Sequence, residues 1–271
     1  MLRIGWFSTG RDKEARDLLE VVQREIAAGT ISATISFVFS NREPGEREES
    51  DAFFDLVRSY NIPLICLSSQ RFKSQFNKSN IMSSKRLEFD RKVMKQLEPL
   101  GADKADLCVL AGYMLIVGEE MCRKYTMLNL HPAPPHGPAG TWQEVIWQLI
   151  QNRAEKAGAM MHLVTPELDK GPPVTYCTFP ITGEPFDPYW QRAKEQTITT
   201  IKEQEGENNP LFKLIREQEV KRELPLIVAT LRALSEGKVR IEKGKVLDSS
   251  GREIDGYDLS EEIERMVKEQ Q

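Results

Sequence analysis

The chain has 271 residues, of which 40% are hydrophobic and 29% charged, and its formal net charge at pH 7 is −4. This balance is typical of a globular protein with a sizeable core, whereas a nucleic-acid-binding surface would be basic. No apolar run approaches the roughly 20 residues of a membrane-spanning helix, and the N-terminus lacks the features of a signal peptide. The four cysteines form no CxxC pair, so we expect buried free thiols in a cytoplasmic protein.

Strands and helices alternate through the first half of the chain. Apolar or β-branched runs predict strands at residues 2–7, 33–41, 62–68, 106–113 and 126–131. Apolar residues at helical spacing predict helices at residues 11–29, 49–61, 85–101 and 118–125. Because the strands are apolar on both sides and alternate with helices, we expect an α/β protein with a Rossmann-like, doubly wound, mostly parallel sheet and flanking helices.

The second half is more polar and less regular. After a loop rich in Pro and Gly, we expect a helix at 141–152, strands at 158–168 and 173–181, and a helix plus a linker at 187–213. A helix at 214–237, a hairpin at 238–254 and a helix at 259–271 follow. We therefore place an α/β core at 1–186, and a polar insertion, helix, hairpin and C-terminal helix packed on that core at 187–271.

Two polar residues stand at the end of a predicted strand. Asn129 and His131 are two apart, so they project to the same side of it. Ligands of open α/β sheets bind at the carboxyl ends of the strands. An amide can stabilise a developing oxyanion, and an imidazole can transfer protons near neutral pH. The prolines and glycines that follow, up to Gly140, would stiffen the loop and allow tight backbone approach.

A third polar group follows the next predicted strand. Asp169 precedes Lys-Gly-Pro-Pro and could orient the histidine. Each residue also has a structural interpretation: a turn-capping Asn129, a turn residue at Asp169, a solvated His136 and a structural His162. The three histidines lack ligand spacing with cysteine or carboxylate, so the sequence predicts no metal site.

The two motifs that contain these residues resemble the signatures of a known family. "LNLHPAPP…G" and "HLVTPELDKGP", with "FVFSN", "LEFDRKV" and "ADLCVLAGYMLIV" in matching order, are similar to the folate-dependent formyltransferases. The likeness covers roughly residues 1–180 and resumes through 214–255. It implies an enzyme that transfers a formyl group from 10-formyl-tetrahydrofolate to an amine. The branch it resembles most implies glycinamide ribonucleotide (GAR), an intermediate of purine biosynthesis, as the acceptor.

The resemblance also implies roles for individual residues. Asn129 would hydrogen-bond the formyl oxygen, His131 would polarise the formyl group and move protons, and Asp169 would hold His131 charged and order a relaying water. Residues matching the folate site are Arg86, Met114, Leu115, Ile116, Val117, Val164 and Leu168. The acceptor would meet Gly10, Arg11 and Gly140. These roles imply small-molecule partners, with no nucleic acid and no membrane, and leave a homodimer open.

Three segments that border the acceptor site depart from the family pattern. They are the loop at 8–13, the loop after His131 and the long segment at 187–213. Alternative acceptors are therefore a nucleotide sugar or another phosphorylated amine, while the acidic charge disfavours a tRNA. Hydrolysis of formyl-tetrahydrofolate, and a folate-binding protein that has lost transfer activity, also stay open.

Overall fold

A computed structural model describes residues 1–74, 82–194 and 197–269. Its strands are β1 (Leu2–Phe7), β2 (Ala33–Ser40), β3 (Leu64–Cys66), β4 (Leu107–Leu110), β5 (Met127–His131), β6 (Lys156–Leu163), β7 (Pro173–Pro180), β8 (Val239–Glu242), β9 (Lys245–Asp248) and β10 (Tyr257–Asp258). Its helices are α1 (Lys13–Ala27), α2 (Glu48–Ser59), α3 (Ser69–Ser74), α4 (Met82–Leu97), α5 (Glu119–Lys124), α6 (Trp142–Gln151), α7 (Asp187–Lys194), α8 (Ile198–Gln204), α9 (Pro210–Ser235) and α10 (Ser260–Glu269).

Eight of these strands form one mostly parallel sheet, and β8 and β9 form a separate antiparallel hairpin. In the first part of the sheet, the strands lie in the order β5-β4-β1-β2-β3, and each neighbouring pair is parallel. In the second part, β6 pairs antiparallel with β7, and β7 pairs parallel with β10. The prediction of a Rossmann-like, mostly parallel sheet with flanking helices and a C-terminal extension is confirmed.

The chain divides into two compact units that interleave along the sequence. The first comprises residues 1–130, 163–171 and 231–238, and the second comprises residues 131–162, 172–230 and 239–271. The domain boundary proposed between residues 186 and 187 stays a prediction.

The first unit is built on apolar strands and on helices with one apolar face. All four residues of β4 are buried, as expected for a strand covered on both sides. Helix α1 buries Leu18, Leu19 and Val22 at helical spacing, and Asp12 caps its first turn. Aromatic and aliphatic side chains from β1, β2, α4 and α5 form one core cluster, which includes Phe7, Phe37, Phe39, Val93 and Met121.

The second unit has its own core, centred on α6. This helix begins with a capping box, in which Thr141 and Glu144 satisfy each other's main-chain N–H groups. It buries Val145, Ile146 and Trp147 against residues of α8 and α9, including Ile201, Phe212 and Ile215.

The polar segment at 187–213 differs from its prediction. We expected one helix and a linker, whereas α7 and α8 lie within it and Pro210 already begins α9. Thr197 caps α8 by accepting the N–H of Thr200, and Ile201 is buried in the core. Ile198 and Ile201 are the two apolar residues of α8, and two are too few to give a periodic signal. Residues 195 and 196 of this segment lie outside the described residues.

Candidate active site

The end of β5 carries the amide and the imidazole that the sequence singled out. Asn129 is half-buried, and His131, the last residue of the strand, is 2% exposed. The alternation of a strand places the two side chains on the same side, as predicted. Nε2 of His131 lies 2.9 Å from the main-chain oxygen of Pro138 and donates a hydrogen bond to it.

The proline loop that follows contains a tight turn. Gly137 donates its N–H to the oxygen of Pro134 at 2.9 Å, with Pro135 and His136 between them. His136 has a φ of 62°, and a proline followed by a positive φ is the pattern of a type II turn. Nε2 of His136 lies 2.7 Å from Oδ2 of Asp255, so this exposed histidine forms a surface ion pair when it is protonated.

His162 lies beside His131. Its ring is 5.9 Å from that of His131 and nearly perpendicular to it, and both side chains are buried. The sequence placed His162 in a strand with a structural role. The structure adds that it forms part of the wall against which the His131 ring packs, a relationship that no local pattern encodes.

The loop after β6 explains a glycine in the second motif. Asp169 has a φ of 54°, in the left-handed region that aspartate tolerates better than most residues. Two residues later, a Cβ at Gly171 would overlap the main-chain oxygen of Leu163. Gly171 is therefore required where this loop passes against the end of β6. Asn129 and Asp169 belong to the first compact unit and His131 begins the second. Their common role stays a prediction.

The apolar residues assigned to the folate site fall into two groups. Val117 is buried, and Leu115 and Val164 pack against the same core cluster, so these three side chains have a structural role. Met114, Ile116 and Leu168 instead are 50%, 55% and 51% exposed. Exposed large apolar side chains are typical of surfaces that bind a ligand or a partner. A folate site at these three residues stays a prediction.

Arg86, the residue assigned to the folate tail, is engaged within the protein. Its Nε lies 3.2 Å from Oδ1 of Asp90, whose side chain is 1% exposed, and the N–H of Gly118 donates to Oδ2 at 2.7 Å. Burial raises the pKa of Asp90 above its ordinary value, and Arg86 and Gly118 partly oppose this effect. Sequence analysis missed Asp90, although its spacing of four from Arg86 on one helix was a visible signal.

The loop after β1 places Gly10 and Arg11 at the start of α1. Gly10 has a φ of 61°, and a Cβ there would lie 2.8 Å from the ring of Phe53. Nε of Arg11 lies 2.8 Å from the carboxylate of Asp12. Oγ1 of Thr9 donates to Oδ1 of Asn41 at 2.7 Å and accepts the N–H of Met114 at 2.9 Å. This threonine ties the first loop to the exposed apolar segment.

Two further properties concern the described ranges only. Between residues 1 and 269, leaving out 75–81 and 195–196, no group of three or more His, Cys, Asp or Glu side chains could hold a metal ion. Within the same ranges, no helix has both the length and the apolar character needed to cross a membrane.

The sheet, the polar end of β5 and the Leu-Asp-x-Gly-Pro loop together define an α/β protein of the formyltransferase fold. The chain belongs to the formyl transferase family, whose model matches residues 15–198.

Named relatives and a solved structure agree with this membership. The phosphoribosylglycinamide formyltransferase of Saccharomyces cerevisiae (strain ATCC 204508 / S288c) is 34% identical over 110 residues, which are 37% of this chain and 51% of the yeast protein. The chain thus spans about half the length of that relative. The protein of the same name from Escherichia coli (strain K12) is 28% identical over 172 residues, which are 61% of this chain and 69% of the Escherichia coli protein. The phosphoribosylglycinamide formyltransferase structure from Coxiella burnetii shares the fold, with a TM-score of 0.66 and 18% sequence identity. The superposition covers 95% of this chain and 98% of the Coxiella burnetii chain.

Proposed function

We propose that this protein is a folate-dependent enzyme that transfers the formyl group of 10-formyl-tetrahydrofolate to the amine of GAR, a step of purine biosynthesis. The observation that carries the proposal is the end of β5, where an amide and a buried imidazole project from one side of a strand. The names of the yeast and Escherichia coli relatives support GAR as the acceptor.

The reaction requires no oxidant or reductant. The amine nitrogen of GAR forms a bond to the formyl carbon, and the bond from that carbon to N10 of the folate breaks. One proton leaves the attacking nitrogen, and one is delivered to N10. The products are formyl-GAR and tetrahydrofolate.

The chain's own groups would lower the barrier at two points. The Asn129 amide donates a hydrogen bond to the formyl oxygen as that oxygen gains negative charge. His131 accepts or donates a proton as the new bond forms. The role implied for Asp169, holding the charge of His131 and ordering a water, stays a prediction that Asp169→Asn would test.

The folate would be held by the exposed apolar side chains. Met114, Ile116 and Leu168 offer about half of their surface to a ligand. Burying an apolar side chain of this size stabilises a complex by roughly 1.5–3 kcal/mol. Arg86 would keep its ion pair with Asp90, and its side chain is 23% exposed, so the exposed part is where the carboxylates of the folate tail would bind.

A second acceptor class is favoured by one observation. In the loop that would meet the phosphate of GAR, the carboxylate of Asp12 already caps α1 and pairs with Arg11. A negative side chain at a helix N-terminus disfavours a phosphate there. An amine whose phosphate groups do not meet this loop, such as the amine of a nucleotide sugar, is therefore the alternative acceptor.

The first assay follows loss of the formyl group from 10-formyl-tetrahydrofolate by the purified protein. Acceleration that requires GAR supports the proposal. Acceleration by another amine, but not by GAR, would identify that amine as the acceptor and would still support formyl transfer. Saturable folate binding without turnover would instead indicate a binding protein. The cytoplasmic location and a homodimer stay predictions.

A further inference from the structure

The hydroxyl group of Thr9 joins the first loop to the segment that carries Met114 and Ile116. Thr9 is 1% exposed, and the N–H of Met114 donates to its Oγ1 at 2.9 Å. We propose that Thr9 is a positioning residue, whose hydroxyl group fixes the 114–118 segment so that its exposed apolar side chains form a preformed binding surface. That folate is the ligand of this surface rests on the proposed function.

The direction of each hydrogen bond around Thr9 follows from the groups involved. A main-chain N–H can only donate, so Oγ1 of Thr9 accepts from Met114, and its own hydrogen goes to Oδ1 of Asn41 at 2.7 Å. The Nδ2 atom of Asn41 then donates to Oγ of Ser69 at 3.3 Å. These bonds form a buried chain with one direction, in which each bond strengthens its neighbours.

The main chain of Thr9 is also held at both of its polar groups. Its N–H donates to the oxygen of Gly112 at 3.1 Å, and its oxygen accepts from Oγ of Ser50 at 3.3 Å. Ser50 lies on α2 and is fully buried. Thr9 therefore contacts the loop after β4 at two points, Gly112 and Met114, and a shift of its hydroxyl group would shift that loop.

A second buried side chain holds the other end of the 114–118 segment. Oδ2 of Asp90 accepts the N–H of Gly118 at 2.7 Å, and the side chain of Asp90 is 1% exposed. Asp90 lies on α4, so a helix sets its position. Thr9 and Asp90 thus fix the first and the last residue of the segment.

The residues of the segment alternate between the core and the surface. Leu115 packs against the core cluster of the first unit, and Val117 belongs to that cluster. Met114 and Ile116 are 50% and 55% exposed. A ligand that covers these two side chains meets apolar surface that is already in place, so its binding costs little conformational entropy.

Hydrogen exchange of the Met114 amide, followed by nuclear magnetic resonance, tests the anchor without any ligand. We expect this amide to be protected in the unmodified protein and in Thr9→Ser, which keeps the hydroxyl group. Thr9→Val has nearly the same shape without that group. Exchange at Met114 should rise at least about tenfold in Thr9→Val relative to the amides of β4, a buried strand of the same unit. An unchanged rate in Thr9→Val would overturn the proposal. Rapid exchange at Met114 in the unmodified protein would do the same, even if Thr9→Val does not fold.

Steady-state formyl transfer tests what the anchor does for the ligand. Thr9→Val should raise the KM for 10-formyl-tetrahydrofolate at least about fivefold, with less than about a twofold change in kcat. Thr9→Ser should restore most of the affinity. Equal KM values in Thr9→Val and the unmodified protein would contradict the positioning role.

Thr230→Val is the matched control for the loss of a buried hydroxyl group. Thr230 is fully buried in the second unit, and its Oγ1 lies 2.6 Å from Oγ1 of Thr175. This variant should lose a comparable amount of stability, whereas its KM should stay within about twofold of the unmodified value. A rise of KM equal to that of Thr9→Val would show that general destabilisation, rather than the position of the 114–118 segment, weakens folate binding.

The two proposals fail in different ways. If the protein neither binds nor turns over 10-formyl-tetrahydrofolate, while Met114 is protected only when residue 9 carries a hydroxyl group, the proposed function is wrong and the anchor stands. If the protein transfers formyl groups with the same KM in Thr9→Val, the proposed function stands and the positioning role of Thr9 is wrong.

Discussion

The carboxylate of Asp12 accepts the N–H of Ala15 at 3.1 Å and thereby caps α1. The cap fixes a negative charge at the helix end that an acceptor phosphate would use. Arg11 neutralises part of that charge through its contact with Asp12, so the same arginine is not fully available to a phosphate. The loop is thus well suited to stabilise α1 and poorly suited to bind an anion.

Replacing Asp12 by Ser should improve the use of a phosphorylated acceptor. Serine caps helices about as well as aspartate, so the free energy of unfolding should change by less than about 0.5 kcal/mol. Removal of the charge also releases Arg11. We expect the KM for GAR to fall several-fold while kcat stays similar, as measured by steady-state formyl transfer. Asp12→Ala, the control, should lose about 1 kcal/mol of stability because it also removes the cap. An increase of KM in Asp12→Ser would show that the carboxylate itself assists the acceptor.

The exposed apolar side chains allow a binding test with little effect on stability. Ile116→Ser and Leu168→Ser each remove a side chain that is more than half exposed. We expect folate affinity, measured by calorimetry or fluorescence titration, to fall about tenfold in each variant, since part of an apolar contact of roughly 1.5–3 kcal/mol is lost. Tyr189→Ser, at an exposed apolar position on α7, is the control and should bind normally. Equal affinities in all three variants would exclude these residues from the folate site.

Substitution of Gly171, the glycine of the second motif, tests whether the loop that carries Asp169 is held rigidly. Gly171→Ala would force the Cβ onto the main-chain oxygen of Leu163, so either β6 or the loop must shift. We expect a loss of at least about 3 kcal/mol in the free energy of unfolding, the upper range for overpacking, because main-chain atoms cannot rotate away. The comparison is Gly183→Ala, where a positive φ alone should cost about 1–2 kcal/mol. Similar losses in the two variants, measured by denaturant unfolding, would show that the loop is free to move.

The parts of the fold that the sequence predicted are those set by local pattern. The apolar run of β4 and the spacing of Leu18, Leu19 and Val22 in α1 each predict one element without knowledge of its neighbours. Asn129 and His131 were proposed as site residues for the same reason, because the period of a strand places them on one side, and their role stays a prediction. Family membership followed from the motifs around them and is confirmed by the match over residues 15–198.

The remaining features depend on contacts between segments that are far apart in the chain. β10 pairs with β7 about 80 residues away, and two residues are too few to show a strand pattern. The short helix α3 gave no apolar periodicity. The hydrogen bond from His131 to Pro138 depends on the path of a loop, and loop paths follow from packing rather than from composition.

A buried carboxylate predicts a pH dependence of stability. Glu219 on α9 is fully buried, and neither of its oxygens has a hydrogen-bond partner within residues 1–74, 82–194 and 197–269. Burial and the nearby Glu223 raise the pKa of Glu219 well above its ordinary value, while Arg216 opposes them weakly. Arg216 pairs more closely with Glu223, at 2.6 Å. At pH values between the unfolded and the folded pKa of Glu219, the folded state therefore keeps a proton on this carboxyl group that the unfolded state releases.

Folding raises the pKa of Glu219. This side chain therefore favours the folded state at low pH, and its contribution to stability is lost as the pH rises through the folded pKa. Glu219→Gln removes the titration, so the stability of the variant relative to the unmodified protein should increase as the pH rises from 4.5. We expect a gain on the order of 1–2 kcal/mol at pH 8, measured by urea unfolding at several pH values. Glu217→Gln, at an exposed position of the same helix, should change stability by less than about 0.5 kcal/mol throughout. A difference between Glu219→Gln and the unmodified protein that does not vary with pH would contradict the raised pKa.

Transfer of an isotopically labelled formyl group tests the central claim most directly. The protein is given 10-formyl-tetrahydrofolate labelled at the formyl carbon, together with GAR, and formyl-GAR is measured by mass spectrometry. We expect labelled product from the unmodified protein, and rates lower by about 10²–10³ in Asn129→Ala and His131→Ala with folate affinity kept. Unlabelled GAR after prolonged incubation, or equal rates in the unmodified protein and both variants, would contradict the assignment of catalysis to the end of β5.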